Sequence, residues 1–325
     1  MLRTLAWRAL RSRPLRPLGR HLELLLWRTD GGGGTSAARY CYSVWLRHLV
    51  LAHTRGGLAQ VPRTVAELGP GASFGVGLAA LLSGAERYVA LDVVRYGRPD
   101  ADLALLDELV ALFAARAPIP GPDELPDVKP PLVSYAFPTD LLGADRLEAS
   151  LAPARLEALR AALRDDPAAT RAARAPSPVQ AFVPWDDAGV IEPGSVDLIL
   201  SQAVLEHVAD PARTYAAMAS WLRPGGLMSH QIDYRCHGLS PRWNAHWRYG
   251  ALTWELSGVR RPYDLNRLSH SQHLELQRGH GFDVLAEVAA HTEDGLQRAE
   301  LAPRFRTLPA ADLRTSGAYV LSRRR

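Results

Sequence analysis

The stretch that decides the fold is "VAELGPGASFGVG", residues 65–77, in which Gly69, Gly71 and Gly75 follow a short apolar run. Glycine loses more conformational freedom on folding than any other residue, so this density indicates a close approach to the backbone. In an open α/β sheet the ligand lies beyond the carboxyl ends of the strands, where the next helix offers unpaired N–H groups. The stretch therefore predicts a strand, a ligand-binding turn and a helix.

An acidic residue follows at a spacing that indicates an adenosine-type ligand. The segment "RYVALDVV", residues 87–94, is typical of a strand and carries Asp92, which lies 23 residues after Gly69. An acid about 20 residues beyond a glycine turn accepts hydrogen bonds from ribose hydroxyl groups. Both NAD and S-adenosylmethionine fit this pattern. A dinucleotide turn has glycine or alanine at its sixth position, where this chain has Phe74, so the pattern favours the methyl donor.

Strand-like and helix-like segments alternate along the rest of the chain. Short apolar runs predict strands at residues 64–68, 87–94, 179–183, 195–201, 225–233, 282–289 and 317–324. This alternation predicts an α/β fold with a doubly wound, mostly parallel, seven-stranded Rossmann-like sheet. Two longer stretches, at about 95–178 and 234–267, do not belong to the alternation. We expect them to be helical insertions that shape an acceptor pocket.

Composition indicates a soluble bacterial protein. Apolar residues make up 47% of the chain and charged residues 22%, which is ordinary for a globular domain. The net charge of +4 rests almost entirely on arginine, since Lys129 is the single lysine, and this bias indicates a GC-rich genome more than a nucleic-acid surface. Two cysteines fit a reducing cytoplasm, and the lone lysine excludes the Tyr-x-x-x-Lys pair of many dehydrogenases.

The N-terminal segment, residues 1–30, differs in character from the rest. It carries seven arginines interleaved with leucines and tryptophans, so it lacks the continuous apolar core of a signal peptide. We interpret it as a helix on the domain or a loose arm. Contact with the inner face of the membrane is the alternative, because basic amphipathic segments bind anionic lipid surfaces.

Four ordered motifs resemble those of class I S-adenosylmethionine-dependent methyltransferases. They are "ELGPG" (67–71), Asp92, "SVDLILSQAVLEHVADP" (195–211) and "WLRPGG" (221–226). The resemblance covers roughly residues 62–93 and 179–233 and implies S-adenosylmethionine as the cofactor. It divides the chain into a basic arm with a helical extension, residues 1–60, and a methyltransferase domain, residues 61–325, that contains the two insertions.

The resemblance also implies roles for individual residues. It assigns Glu67, Gly69 and Gly71 to the methionine part of the cofactor, Ser73 to the third small position of the turn, and Asp92 to the ribose. It places Ser201 and Gln202 near the sulfonium. For the adenine ring the chain offers Asp186 or Asp187, with Trp185 as a stacking partner.

Transfer to a hydroxyl group also needs a proton acceptor, which is work for a histidine or a carboxylate. Asp233, His207 and His237 are the catalytic candidates at the ends of the fourth and fifth strands, although His207 is equally interpreted as a loop histidine. The substrate-binding candidates are His230, His246, Asn266 and Arg267, and helix capping is the alternative for Asn266. The pattern "H-x-x-D-x-x-x-H" at 230–237 matches no common zinc spacing, so we expect no metal.

The sequence thus predicts a cytoplasmic methyltransferase that O-methylates a small molecule or a glycan. A nucleic-acid acceptor is disfavoured, because no basic stripe and no Asn/Asp-Pro-Pro-Tyr/Phe motif accompanies the fourth strand. Two other classes remain open. One is an NAD-dependent oxidoreductase, and the other is a non-catalytic adenosine-binding or membrane-docking protein of the same fold.

Overall fold

The computed structural model describes residues 34–94, 99–165, 167, 177–185, 187–257 and 265–325. Its helices are α1 (Ala38–Gly56), α2 (Gly75–Leu82), α3 (Pro99–Ala114), α4 (Ala144–Ser150), α5 (Pro153–Arg164), α6 (Pro211–Trp221), α7 (Ala251–Ser257) and α8 (His270–Gly279). Its strands are β1 (Thr64–Leu68), β2 (Arg87–Leu91), β3 (Val179–Phe182), β4 (Val196–Gln202), β5 (Leu222–Asp233), β6 (Phe282–His291) and β7 (Thr315–Arg324). The basic segment 1–30 and Asp186 lie outside the described residues.

The strands form one sheet in the order β3-β2-β1-β4-β5-β7-β6. The pairs from β3 to β5 are parallel, and β7 runs antiparallel to both β5 and β6. The predicted seven-stranded, mostly parallel sheet is therefore confirmed. The second strand is shorter than predicted and ends at Leu91, which places Asp92 just beyond the carboxyl end of β2.

Helices cover both faces of the sheet. On one face α1 and α2 pack on the strands with α3 against them, and on the other face lie α6 and α8. The apolar side of α1 is fully buried, with Tyr42, Trp45 and Leu46 inaccessible to solvent, and the Trp45 indole donates to Ser83 Oγ at 2.7 Å. The predicted helical extension is thus packed into the core of the domain.

Two glycines of the opening stretch serve helix packing. A Cβ atom on Gly77 would lie 2.1 Å from the Tyr88 ring, and one on Gly75 would lie 2.4 Å from Cys41 Sγ. Glycine at these positions lets α2 lie directly against β2 and α1. The turn itself depends on Gly69 and Gly71 alone among the glycines of this stretch.

Both insertions are anchored by buried groups. In the first, the Arg47 guanidinium from α1 donates to the carbonyl oxygens of Pro120 and Pro130 at 2.9 and 2.6 Å. The short helix α4 is an element of this insertion that the sequence pattern did not predict. In the second, the indoles of Trp243, Trp247 and Trp254 are buried, as expected for anchoring aromatics. No helix in the described ranges combines the length and hydropathy needed for membrane crossing.

Candidate functional site

The turn after β1 has the backbone geometry that the glycines predict. Gly69 and Gly71 adopt φ values of 65° and 73°, in the left-handed region that favours glycine. A Cβ atom on Gly69 would lie 2.6 Å from the Val204 side chain, which follows β4. The Gly69 N–H donates to the Leu91 carbonyl at 2.8 Å. These contacts hold the ends of β1, β2 and β4 together around the half-buried glycine turn.

Thr35, just before α1, closes over this turn, and the sequence pattern did not single it out. The Ala72 N–H donates to Thr35 Oγ1 at 2.8 Å, and the Ser73 hydroxyl donates to the Thr35 carbonyl. Ser73 Oγ also accepts from the Gly75 N–H at 3.1 Å, which satisfies a backbone donor at the start of α2. The assignment of Ser73 to the cofactor stays a prediction.

Asp92 lies at the carboxyl end of β2 with 8% of its surface exposed. Its Oδ1 accepts the N–H groups of Val93 and Val94 at 2.7 and 3.4 Å. Burial raises the pKa of Asp92 to about 6, although these N–H groups and that of Gly71 oppose the rise. Asp92 is therefore ionised near neutral pH and lies close to the glycine turn. Its assignment to the ribose stays a prediction.

Glu67 is buried under the turn, on the face of the sheet that α1 and α2 cover. Its Oε2 accepts the hydroxyl of Tyr88 at 2.6 Å. Burial raises the pKa of Glu67 to about 8, against the opposing effect of that hydrogen bond. The carboxyl is thus mostly protonated at pH 7 in this structure. Its assignment to the methionine part of the cofactor stays a prediction.

Ser201 and Gln202 end β4 and are both hydrogen-bonded within the protein. Ser201 Oγ lies 2.8 Å from Nδ1 of His230, and Gln202 Oε1 lies 3.2 Å from Nε2 of His48 on α1. Burial lowers the pKa of His48 to about 4 and that of His230 to about 3, so both rings are neutral at pH 7. His48 therefore links α1 to the end of β4, a contact that no motif in the sequence indicated.

Two residues after adjacent strand ends adopt left-handed backbone without being glycine. Ala203, after β4, has φ 54°, and His237, in the loop after β5, has φ 48°. Such conformations cost free energy in residues other than glycine and concentrate at functional sites. They indicate that the backbone here is fixed by its surroundings.

Glu206, His207 and His237 converge beside these positions. Their potential ligand atoms all lie within 4.8 Å of one another, and the two imidazole centroids are 4.9 Å apart. Glu206 is 3% exposed, and burial raises its pKa well above the usual value, although nearby backbone N–H groups oppose the rise. Burial also lowers the pKa of His237, which keeps its ring neutral at neutral pH. The structure thus joins two predicted catalytic histidines with a glutamate that was not predicted.

Asp233, the third catalytic candidate, forms an ion pair with Arg235. The shortest contact joins Asp233 Oδ2 to Arg235 Nη2 at 2.7 Å, and the Arg235 backbone N–H donates to Oδ1 at 2.9 Å. Burial alone would raise the pKa of Asp233, but these hydrogen bonds lower it below the usual value. A carboxylate with a lowered pKa is a weak base, so the geometry favours a substrate-anchoring role for Asp233.

The predicted substrate residues separate into two groups. Asn266 belongs with the cluster, because its Nδ2 donates to the Leu205 carbonyl at 2.6 Å and its N–H to the Glu206 carbonyl at 2.9 Å. Ser269, not Asn266, is the N-cap of α8. Arg267 and His246 lie in the buried aromatic part of the second insertion, where the Arg267 guanidinium stacks 4.5 Å from the Trp254 ring. His230 is fully buried, and alternation along β5 places it on the face opposite Asp233.

The adenine side of the site is described in part. Trp185 follows β3 and packs edge-on against Trp221, with ring centroids 5.3 Å apart. Asp187 caps a short 3₁₀ helix by accepting the Gly189 N–H at 2.9 Å. The choice between Asp186 and Asp187 therefore stays open.

Comparison with protein families identifies a known kind of domain in part of the chain. A family model described as a methyltransferase domain matches residues 131–286. The matched range contains β3, β4 and β5 and the histidine cluster, and the glycine turn and Asp92 precede it. Comparison with curated proteins finds no match.

Solved structures of methyltransferases resemble the chain at low identity. An S-adenosylmethionine dependent methyltransferase from Mesorhizobium loti is 14% identical, with 82% of this chain and 92% of that chain covered and a TM-score of 0.40. Phosphoethanolamine N-methyltransferase 2 from Haemonchus contortus, in complex with S-adenosyl-L-methionine, is 14% identical, with 97% of this chain and 59% of that chain covered and a TM-score of 0.41.

Proposed function

We propose that this chain, which carries a methyltransferase domain of the class I S-adenosylmethionine-dependent family, methylates a hydroxyl group of a small polar acceptor such as a saccharide. The observation that carries the proposal is the pair of imidazoles at the ends of β4 and β5, with ring centroids 4.9 Å apart. These strand ends adjoin the glycine turn, because β4 pairs directly with β1.

The residues at the ends of β1 and β2 fit the cofactor. Gly69 and Gly71 present backbone without side chains in the left-handed region, and a Cβ atom on Gly69 would overlap the Val204 side chain at 2.6 Å. Asp92 supplies a carboxylate for the ribose hydroxyl groups. When bound, S-adenosylmethionine supplies a methyl group activated by the adjacent sulfonium.

The ends of β4 and β5 supply what a hydroxyl acceptor needs. His237 is half-buried and neutral near pH 7, because burial lowers its pKa, and a neutral imidazole accepts a proton. The side chain of His207 is 30% exposed beside it. The Asp233–Arg235 pair offers both hydrogen-bond acceptors and donors at the same edge, which suits an acceptor rich in hydroxyl groups. Alignment of such an acceptor supplies much of the rate acceleration in a displacement reaction.

Turnover with acceptor panels tests this function. We expect the wild-type protein to convert S-adenosylmethionine to S-adenosylhomocysteine in the presence of a saccharide or phenol acceptor, with an O-methyl product by mass spectrometry. His237→Asn, which keeps a residue tolerant of left-handed backbone, should lower kcat by about 10²–10⁴-fold, because the group that handles the acceptor's proton is lost.

His291→Asn, at the exposed end of β6, is the matched control and should leave kcat unchanged. Methylation on nitrogen or carbon, or full activity in His237→Asn, would contradict the proposal.

A further inference from the structure

We propose that Glu206, His207 and His237 form a binding site for one divalent transition-metal ion, with Zn²⁺ the best match. The site stands on the geometry of these side chains. Its use in activating the acceptor rests on the proposed function. The expectation of no metal rested on the pattern "H-x-x-D-x-x-x-H" at 230–237, which matches no common zinc spacing. Of the three residues proposed here only His237 belongs to that pattern, and His207 lies 30 positions before it.

The donor set has the right chemistry and nearly the right size. Two imidazoles and one carboxylate form a common set for a catalytic divalent ion, with Zn–N and Zn–O bonds of about 2.0–2.2 Å. Tetrahedral coordination at that length holds ligand atoms about 3.4 Å apart. The three ligand atoms lie within 4.8 Å of one another, and His207 Nε2 is 3.9 Å from Glu206 Oε1. Rotations of the three side chains that move their ligand atoms by about an ångström would bring these atoms to the spacing of a tetrahedral site.

Glu206 is the independent observation that indicates a cation. It is 3% exposed, and in the described part of the chain neither of its carboxyl oxygens meets hydrogen-bond geometry with a partner, although the backbone N–H groups of Glu206 and Asp233 lie near. Leaving a buried polar group without a partner costs stability, and more so when the group is charged. Arg235 lies near but is engaged by Asp233 through both of its carboxyl oxygens. A metal ion between the carboxylate and the imidazoles would satisfy Glu206.

The surrounding backbone fixes the ligands in place. Asn266 is a positioning residue, because its side chain and N–H bind the carbonyl oxygens of Leu205 and Glu206 in the turn that carries two ligands. His237 is held in the left-handed region at φ 48°. These contacts orient the ligand side chains, as hydrogen bonds around the ligands do in other metal sites.

Three protein ligands leave a coordination position for the acceptor. An ion that binds the acceptor's hydroxyl oxygen lowers the pKa of that hydroxyl, so the O–H bond breaks more readily. The proton passes to water, and the electron pair remains on the oxygen that the ion holds. The proposed O-methylation is unchanged, but with the ion bound His207 and His237 act as its ligands, and His237 is the proton acceptor only in the metal-free site.

Titration with Co²⁺, a coloured substitute for Zn²⁺, tests the site. Chelator-treated protein should bind one equivalent of Co²⁺ with visible absorption bands, and Zn²⁺ should displace it. Glu206→Gln and His237→Asn should each weaken Co²⁺ binding by at least roughly 10–100-fold, which is the usual cost of changing a residue that only hydrogen-bonds to a metal ligand. Glu293→Gln and His291→Asn, both on exposed residues, are the matched controls and should bind as tightly as the wild type.

S-adenosylhomocysteine binding, measured on each variant, separates this inference from the proposed function. Variants that keep the fold and bind S-adenosylhomocysteine but not Co²⁺ would support the metal site. Two results would overturn it. One is a wild type that binds S-adenosylhomocysteine but no stoichiometric Co²⁺, and the other is Co²⁺ binding by both Glu206→Gln and His237→Asn that is as tight as in the wild type. If the wild type does not bind S-adenosylhomocysteine, the proposed function is contradicted, and the Co²⁺ titration still decides whether the metal site exists.

Discussion

At the scale of single residues, Glu67 links the glycine turn to the stability of the fold. Its pKa is raised to about 8 in the folded protein, mainly by burial, from the ordinary 4.5. A carboxyl with a raised folded pKa contributes stability that is complete below its unfolded pKa. That stability is lost at about 1.4 kcal/mol per pH unit as the pH rises towards the folded pKa, because only the unfolded chain has released the proton.

Glu67→Gln should therefore become more stable relative to the wild type as the pH rises from about 5 to about 8, with little further change at higher pH. The amide oxygen of the introduced glutamine would still accept the Tyr88 hydroxyl, so the hydrogen bond is kept. Urea unfolding at acidic, neutral and alkaline pH measures the difference, with Glu275→Gln on the exposed face of α8 as the control. Parallel pH profiles for wild type and Glu67→Gln would contradict the buried, protonated state.

At the scale of elements, the contact between α2 and β2 depends on Gly77. A Cβ atom there would meet the buried Tyr88 ring at 2.1 Å. We expect Gly77→Ala to destabilise the fold by about 1–3 kcal/mol, because overpacking outweighs the better helix propensity of alanine. Displacing Tyr88 would also disturb its hydrogen bond to Glu67.

Gly279→Ala, in the last turn of α8, is the matched control for this change. No atom lies within 4 Å of a Cβ built there, so alanine should stabilise that helix by up to about 1 kcal/mol. Thermal or urea unfolding compares the two variants. Equal effects of the two substitutions would show that α2 does not depend on its close approach to Tyr88.

At the scale of the whole molecule, local sequence patterns predicted the sheet. They did not predict which side chains from distant parts of the chain meet at the site. Alternating apolar runs indicated the seven strands. The glycines, with an acid 23 residues after Gly69, predicted a cofactor site at the carboxyl ends of β1 and β2. Thr35 and His48 were not predicted, because each meets the site across a distance in the chain that no period or motif marks. Glu206 was not predicted for the same reason, because only the pairing of β4 with β5 brings it close to His237.

The most direct measurement of the central claim is calorimetric binding of S-adenosylhomocysteine and of NADH to the wild type and to Asp92→Ala. We predict that only S-adenosylhomocysteine binds and that Asp92→Ala weakens it by about 1–3 kcal/mol. Binding to the wild type should also weaken as the pH falls below the Asp92 pKa of about 6, because the carboxylate becomes protonated there. Binding of NADH, or binding of neither compound to the wild type, would contradict the methyltransferase assignment of this site.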